Sequence, residues 1–357
     1  MVTLPYADAV SDHAAQAETA SPGGAPARGA SIGDVARLAG VSATTVSRVS
    51  TGVGVVREST RRRVLDAMRT LGYTPNHAAR ALRYGSFGTI GVIAHQLGRT
   101  GESRTVESVV AAARREGYGV TLVDVESPTS DQVDAAVQRL THRSIDGLVI
   151  IRAETATPAT LQLPAHLPVA VSDSRFVGHH PAVGPDQTAG TREAVEHLLS
   201  LGHRTVHHVT GPAGSGPATL RAAGWRAALA AAGRSAPEPL PGDWSAASGH
   251  AAGLALPPDA TAVFCANDET AAGLVAALDA RGLRVPQDVS VVGFDDIPLA
   301  GFLRPALTTV RQDFARVGEE LVHLLVRQVA GEELADHRVV VPAPLVVRAS
   351  TAPPPAA

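Results

Sequence analysis

Apolar and polar positions along the chain follow two regimes, and the change between them falls near residue 88. Before it the apolar residues recur at helical spacing. Ser31 is placed to cap a helix over 32–39, with Ile32, Val35, Ala36 and Ala39 on one face. Gly40 stands where a left-handed C-terminal cap is wanted, Val41 fills the turn, and Ser42 caps a second helix over about 43–49 with Val46 and Val49 inward. A third helix is expected over 59–71, with Val64, Leu65, Met68 and Leu71 inward and Arg61, Arg62, Arg63 and Arg69 mostly outward. Gly72 and Pro75 end it.

After residue 88 short apolar runs alternate with helical stretches. The runs at 89–94, 120–125, 147–151, 169–172, 205–210, 262–266 and 289–294 read as strands. Helices are expected between them, for example over 103–116, 131–141, 187–201, 220–232 and 269–281. Continuous apolar strands interleaved with helices indicate buried parallel sheets covered on both faces. Seven such strands over this length predict an α/β body of two doubly wound subdomains, behind an all-α head.

Charge separates the same two regions. Residues 31–87 carry nine arginines against Asp34, Glu58 and Asp66, a balance of +6. The first thirty residues carry one arginine against three acids. A whole-chain charge of −3 therefore leaves −7 from Gly88 onward. A small basic module on an acidic body is the asymmetry of a nucleic-acid reader, with the body repelling DNA and the head approaching it. The single cysteine, Cys265, excludes an internal disulfide framework and a cysteine-built metal site, and its apolar run predicts a buried, inert thiol. Residues 1–30 lack a basic and an apolar signal region and are expected to be a disordered leader. No apolar run reaches membrane-spanning length, so a cytoplasmic protein is expected.

Two short helices joined by so tight a glycine turn form a helix-turn-helix. The second helix presents Ala43, Thr44, Ser47 and Arg48 outward, with Ser42 and Thr45 beside them. In a major groove Arg48 can grip guanine O6 and N7, while Ala and Thr methyls meet thymine methyls. Hydroxyls of Thr45 and Ser47 suit phosphate oxygens. A solvated polar face is the plain alternative for one helix, but here cap, turn, periodicity and charge agree. The following stretch, Asn76 to Arg83 with Arg80 and Leu82 inside it, is too short to be helical alone. DNA and a second copy of the same stretch would order it.

In doubly wound folds ligands bind at the carboxyl ends of strands. His95, Asp173, Asn267 and Asp295 stand at such ends, and their amide and carboxylates suit the hydroxyls of an uncharged polar ligand. Arg221 opens a helix from which it could fork onto ligand oxygens. Trp244 offers an indole face to a sugar or a nucleobase in a chain with 3% aromatics. Each has a plainer role available: Asp295 or Asp296 can cap a loop, Asn267 and Asp268 can cap the next helix, and Trp225 reads as core. The glycine-rich segment 211–216 fits neither nucleotide-binding spacing, and no lysine occurs in the chain to reach a phosphate. The adjacent pairs His179-His180 and His207-His208 point to opposite faces of a strand, so neither predicts a metal site, and no cofactor is expected.

Residues 32–42 (IGDVARLAGVS), 45–49 (TVSRV) and 71–76 (LGYTPN) closely resemble the LacI/GalR family of bacterial transcriptional regulators, and the resemblance runs from Ser31 to about Thr351. It implies a helix-turn-helix over 31–75 and a hinge helix and linker over 76–87, with Leu82 wedged into the operator minor groove. It also implies a periplasmic-binding-protein-like effector and dimerisation domain over 88–351. Within that domain the N-subdomain is expected at about 88–185 and 312–340, the C-subdomain at about 187–311 and 341–350, and a disordered tail at 352–357. Asp173, Arg221, Trp244, Asn267 and Asp295 match effector-contacting positions, and His95 and Gln312 match more variable ones. Ser50 and Thr51 stand in place of the family's usual Leu-Asn, and Arg57 in place of a capping serine. The expectation is a homodimeric repressor of carbohydrate-utilisation genes, bound to a pseudo-palindromic double-stranded operator and switched by a sugar. A purine co-repressor is the alternative ligand. A solute-binding protein of a transport system is the rival of another class, and turnover of a bound sugar would mark an enzyme.

Overall fold

The structure is a computed structural model that describes residues 30–51, 54–74, 86–125, 130–141, 145–151, 163–164, 166–172, 179–334 and 337–356. The chain divides into two compact units, 1–80 and 81–357. In the first, helices α1 (Ile32–Ala39), α2 (Ala43–Thr51) and α3 (Glu58–Leu71) enclose one small core. Ser31 and Asp34 form a reciprocal capping box: Asp34 N donates to Ser31 Oγ at 3.3 Å, and Ser31 N to Asp34 Oδ2 at 2.9 Å. Gly40 adopts φ 61° and Val41 N donates to the Ala36 carbonyl at 3.0 Å, so the turn is a left-handed cap that re-aims the chain into α2. Val35, Val46, Val49 and Val64 are fully or almost fully buried.

Two side chains expected in this core lie outside it. Leu65 is 43% exposed and Ile32 36%. Residue 65 sits a full helical step from the Val64–Ala67–Met68 stripe, and Ala67, small enough for α1 to approach, takes the inward place. Arg57 stands at the N-cap of α3 and makes no side-chain capping bond.

The second unit holds two sheets. The first runs in the order β10-β5-β4-β3-β1-β2, all parallel, from β1 (Thr89–His95), β2 (Gly119–Val125), β3 (Gly147–Ile151), β4 (Val169–Ser172), β5 (Ala182–Pro185) and β10 (Arg338–Val341). Helices α4 (Thr100–Arg115), α5 (Ser130–Thr141) and α10 (Phe314–Val329) pack on it. The second sheet contains β6 (His207–Val209), β7 (Ala262–Cys265), β8 (Ser290–Asp295), β9 (Thr308–Arg311) and β11 (Leu345–Val346), flanked by α6 (Gln187–Ser200), α7 (Gly216–Ala231), α8 (Ala246–Ala255) and α9 (Asp268–Ala280). β11 pairs antiparallel with β9, so this sheet is mixed where parallel sheets alone were expected. The chain passes between the lobes three times, after β5, after β9 and after β10. Successive strands β9 and β10 therefore belong to different sheets.

Ala352, the first residue of the tail expected at 352–357, is held against the body. Ala352 N donates to Ser290 Oγ at 3.0 Å and its carbonyl accepts from the same hydroxyl at 2.9 Å. Its backbone groups find partners on the second lobe, and that docks it. Trp225 is core, as its helical position implies, with no exposure and its indole N–H donating to the Val206 carbonyl at 2.8 Å.

The same core makes this lobe acid-sensitive. His208 is wholly buried, stacked 5.0 Å from Phe264 and tilted 5.2 Å from Trp225. Burial pushes its pKa from 6.5 down to about 4, and burial lowers His203, His207 and His197 of the same lobe in the same direction. A folded-state value below the unfolded one means protons bind the unfolded chain better. The histidine contribution to stability is then complete above about pH 6.5 and declines as pH falls towards 4. The His208 gap alone corresponds to about 3 kcal/mol at the acid end. The melting temperature is expected to fall steadily from pH 7 to 4.5 and to fall less in His208→Phe. The same change in melting temperature over that interval in wild type and His208→Phe would contradict the assignment.

Candidate functional site

On the head, the exposed face of α2 carries Ala43, Thr44 and Arg48, with Thr45 and Ser47 half-buried beside them. Ser42 is occupied by its own helix: Thr45 N donates to its Oγ at 3.2 Å, and the Ser42 and Thr45 hydroxyls lie 2.9 Å apart. That pair holds the first turn of α2 rigid and leaves Ala43, Thr44 and Arg48 as its outward group. On α3 Arg62 and Arg69 pair with Glu58 and Asp66 on the same helix, both pairs exposed. The expected hinge residues Asn76, Arg80, Leu82 and Arg83 lie outside the described residues, as does Asp173.

Where the body begins, Asp146 holds the incoming chain. Its carboxylate accepts from Phe87 N at 2.6 Å, Ser86 Oγ at 3.0 Å and Thr89 N at 3.1 Å. The segment leading to β1 is thereby fixed to the first lobe by one side chain.

A cavity of about 260 Å³ opens between the two lobes of the body. From the second lobe come Arg221, Trp244, Asn267, Glu269 and Asp295, and from the first Arg99, Thr100 and Glu102 at the start of α4. Arg221, on α7, is 1% exposed. Its Nε donates to Gln187 Oε1 at 2.7 Å, one terminal nitrogen to the Ala266 carbonyl, and the other faces Asp295 Oδ1 at 3.5 Å. The guanidinium lies 3.7 Å over the Phe294 ring and 5.3 Å from Trp244. These partners fix the fork in one plane, so it can present to the cavity without rearranging.

Asp295 ends β8 with φ 117°, followed by Asp296 at φ 54°; Trp244 has φ 75°. Such left-handed non-glycine residues cost about 1–3 kcal/mol each and persist where the surroundings over-determine them, which is common at ligand sites. Gln312 is buried and donates through Nε2 to Asp295 Oδ1, holding the carboxylate from the side. Asp296 is pinned instead by Arg311 and Arg348, both at 2.6 Å. Asp268 is fully buried and receives Ile297 N at 2.8 Å and the Thr309 hydroxyl; burial, with Asp295 nearby, pushes its carboxyl well above the usual range.

Asn267 both lines the cavity and caps α9, accepting from Thr270 N at 3.0 Å and donating to the Trp244 carbonyl at 3.0 Å. Trp244 is 8% exposed, and its indole N–H is buried with no hydrogen-bond partner among the described residues. The glycine-rich segment at 211 serves this ring: a Cβ on Gly211 would meet it at 2.5 Å.

The structure thus brings Arg221, Trp244, Asn267 and Asp295 to one wall, with Gln312 one contact behind. His95 is buried at the end of β1 and is not among the residues lining the cavity. Sequence reasoning missed the first-lobe wall, Arg99 to Glu102, because it started that helix at residue 103. It also missed Glu269 and Gln187, which no isolated motif marks. The wall chemistry, carboxylates and an amide beside an indole and a fixed guanidinium, suits hydroxyl groups presented around a compact ring.

Comparison with known proteins adds to this. Residues 31–76 match the family described as "Bacterial regulatory proteins, lacI family", and residues 195–351 match "Periplasmic binding protein-like domain". The ribose operon repressor of Escherichia coli (strain K12) is 32% identical over 318 residues, covering 87% of this chain and 96% of that protein. The transcriptional repressor PurR of Vibrio cholerae serotype O1 (strain M66-2) is 32% identical over 312 residues, covering 85% and 93%. Among solved structures, the lac repressor dimer bound to operator and the anti-inducer ONPF has a TM-score of 0.77 at 32% identity, covering 91% of this chain and all of that one.

Proposed function

Since the chain belongs to the LacI family of bacterial regulatory proteins, we propose that it is an operator-binding transcriptional repressor, switched by a small sugar held between the lobes of its body. It acts in the cytoplasm as a homodimer, as the lac repressor structure is a dimer on its operator. Two copies of α2 enter successive major grooves of a pseudo-palindromic site. The segment 76–87, with Leu82 as a minor-groove wedge and Asn76, Arg80 and Arg83 around it, carries the angle of the lobes to the head. Asp173 completes the effector contacts from the first lobe, and His95, which does not line the cavity, is left out of them.

The observation that carries this reading is the presence in one chain of an exposed Ala43–Thr44–Arg48 face and a cavity walled by Arg221, Asp295, Asn267 and Trp244. About 260 Å³ lies below the usual ~300–1,000 Å³ of drug-sized ligand sites, which favours a monosaccharide over an oligosaccharide. A purine co-repressor is the second reading, supported by the Trp244 face and the PurR relative; the carboxylates on the wall favour sugar hydroxyls.

The test is selection of duplexes from a random pool, followed by Arg48→Ala. The wild-type protein should enrich a two-fold site, and the variant should lose about 1–3 kcal/mol of discrimination at one base pair per half-site. A uniform loss on all duplexes would remove Arg48 from base reading. No enrichment by the wild-type protein at moderate salt, with or without monosaccharides and nucleobases, would overturn the function.

A further inference from the structure

Among the described residues, a hydrogen bond joins the two lobes directly across the cavity. Thr100 is the first residue of α4, and its hydroxyl donates to Oε1 of Glu269 on the opposite lobe, 169 positions along the chain. The other carboxylate oxygen, Oε2, accepts from Asn267 Nδ2 at 2.8 Å. Glu269 is therefore held from both sides: by its own lobe through the cap of α9, and by the other lobe through the start of α4.

Two physical effects favour this bond. A hydroxyl donating to a carboxylate is charge-assisted, about twice as strong as a neutral pair. In addition, the first N–H groups of α4 have no intrahelical acceptor, and Arg99 at its N-cap supplies no side-chain bond. A carboxylate arriving there meets the positive end of the helix. We infer that the Thr100–Glu269 bond is a clasp that sets the angle between the lobes, and that Glu269 is the positioning residue through which an occupant of the cavity alters that angle.

The route is short. Asn267, Glu269 and Trp244 all line the cavity, and one amide, Asn267 Nδ2, bonds both Glu269 and the Trp244 carbonyl. A ligand that engages this amide or shifts the indole loop changes what holds Glu269, and the clasp tightens or releases accordingly. By linkage, whatever changes the lobe angle changes ligand affinity by the same factor. This inference names the regulation of the proposed effector site and rests on that reading, but its test needs neither sugar nor duplex.

The experiment is a pulsed electron-spin distance measurement on the full chain, with labels at Glu107→Cys on α4 and Glu196→Cys on α6. Both side chains are well exposed, at 69% and 60%, whereas native Cys265 is buried, its thiol pushed up by burial, and escapes labelling. Thr100→Val is expected to raise the ratio of long- to short-distance populations about tenfold, the scale of losing one charge-assisted hydrogen bond. Glu269→Gln should move it the same way by less, Thr100→Ser should restore the parent distribution, and Thr100→Val with Glu269→Gln together should match Thr100→Val alone within error. Parent-like distances in both single variants overturn the clasp, even if their melting temperatures fall, since a merely structural bond would lower stability without moving the lobes.

Discussion

Arg221→Met is expected to destabilise the second lobe by about 3–5 kcal/mol and to abolish any response to effector. The side chain is buried, and three acceptors depend on it: Gln187 Oε1, the Ala266 carbonyl and Asp295 Oδ1. Removing one partner of a buried charge pair leaves the other uncompensated in a low-dielectric setting, which accounts for the size of the loss. Methionine fills much of the volume and keeps the contact with Phe294, so packing is a minor part of the effect. Arg221→Lys keeps the charge, but an ammonium cannot fork to three acceptors in one plane, and an intermediate loss follows. Urea unfolding reads the stability directly. A midpoint unchanged in Arg221→Met would show that the arginine is not needed to hold Asp295. The second consequence is read by thermal shift with a monosaccharide panel: Asp295 without its arginine leaves the wall one fixed donor short and carrying an unbalanced charge.

Much of this fold is legible in the chain because its long elements are periodic. Ser31, Gly40 and Ser42 mark the ends of α1 and the start of α2, and each does so through a bond that sequence rules anticipate. The seven strands expected from apolar runs all occur, shifted at their ends by a residue or two. Of the described strands, four escaped; β10 ends on the apolar run Val339-Val340-Val341, which was passed over, and the other three have a local signal that is absent or misleading. β5 carries Gly184 and Pro185, which read as breakers, β9 opens on two threonines, and β11 is two residues long. The candidate site divides in the same way. Trp244, Asn267 and Asp295 stand at strand ends or just before helices, where the fold class itself predicts ligands, whereas Arg221, expected to open a helix, is the sixth residue of α7 because that helix starts at Gly216. Thr100, Glu102 and Glu269 become wall residues only because the two lobes face each other, and that proximity is a tertiary fact with no local pattern. Gln187 is a further case: it matters as the acceptor for Arg221 Nε, 34 positions away.

The packing of α8 on α9 shows why such long-range requirements escape a local reading, and it yields a second large effect. α8 contains Gly249 and Gly253, and α9 contains Gly273, each costing about 1 kcal/mol against alanine in a helix. The compensation is a backbone-to-backbone approach. A Cβ on Gly273 would lie 1.8 Å from the Ala246 carbonyl oxygen, and one on Gly249 2.0 Å from that of Thr270. No rotamer change relieves a clash with a carbonyl, so Gly273→Val must push the first turn of α8 away. That turn carries Ser245 and Ala246 into the cavity wall, directly after Trp244. The expected loss is about 3 kcal/mol or more, the upper end for overpacking, because backbone rather than side chain must yield. Ala276→Val, exposed on the same helix, should cost only the helix-propensity difference of about 0.5 kcal/mol. The two variants are best compared in a Trp225→Phe background, where Trp244 is the remaining tryptophan and its emission reports the wall. Gly273→Val should shift that emission to the red as the indole loses its cover and should lower the unfolding midpoint, while Ala276→Val leaves the emission in place. Equal, small effects from both substitutions would mean that the helices can part without cost, and that the position of Trp244 does not depend on their contact.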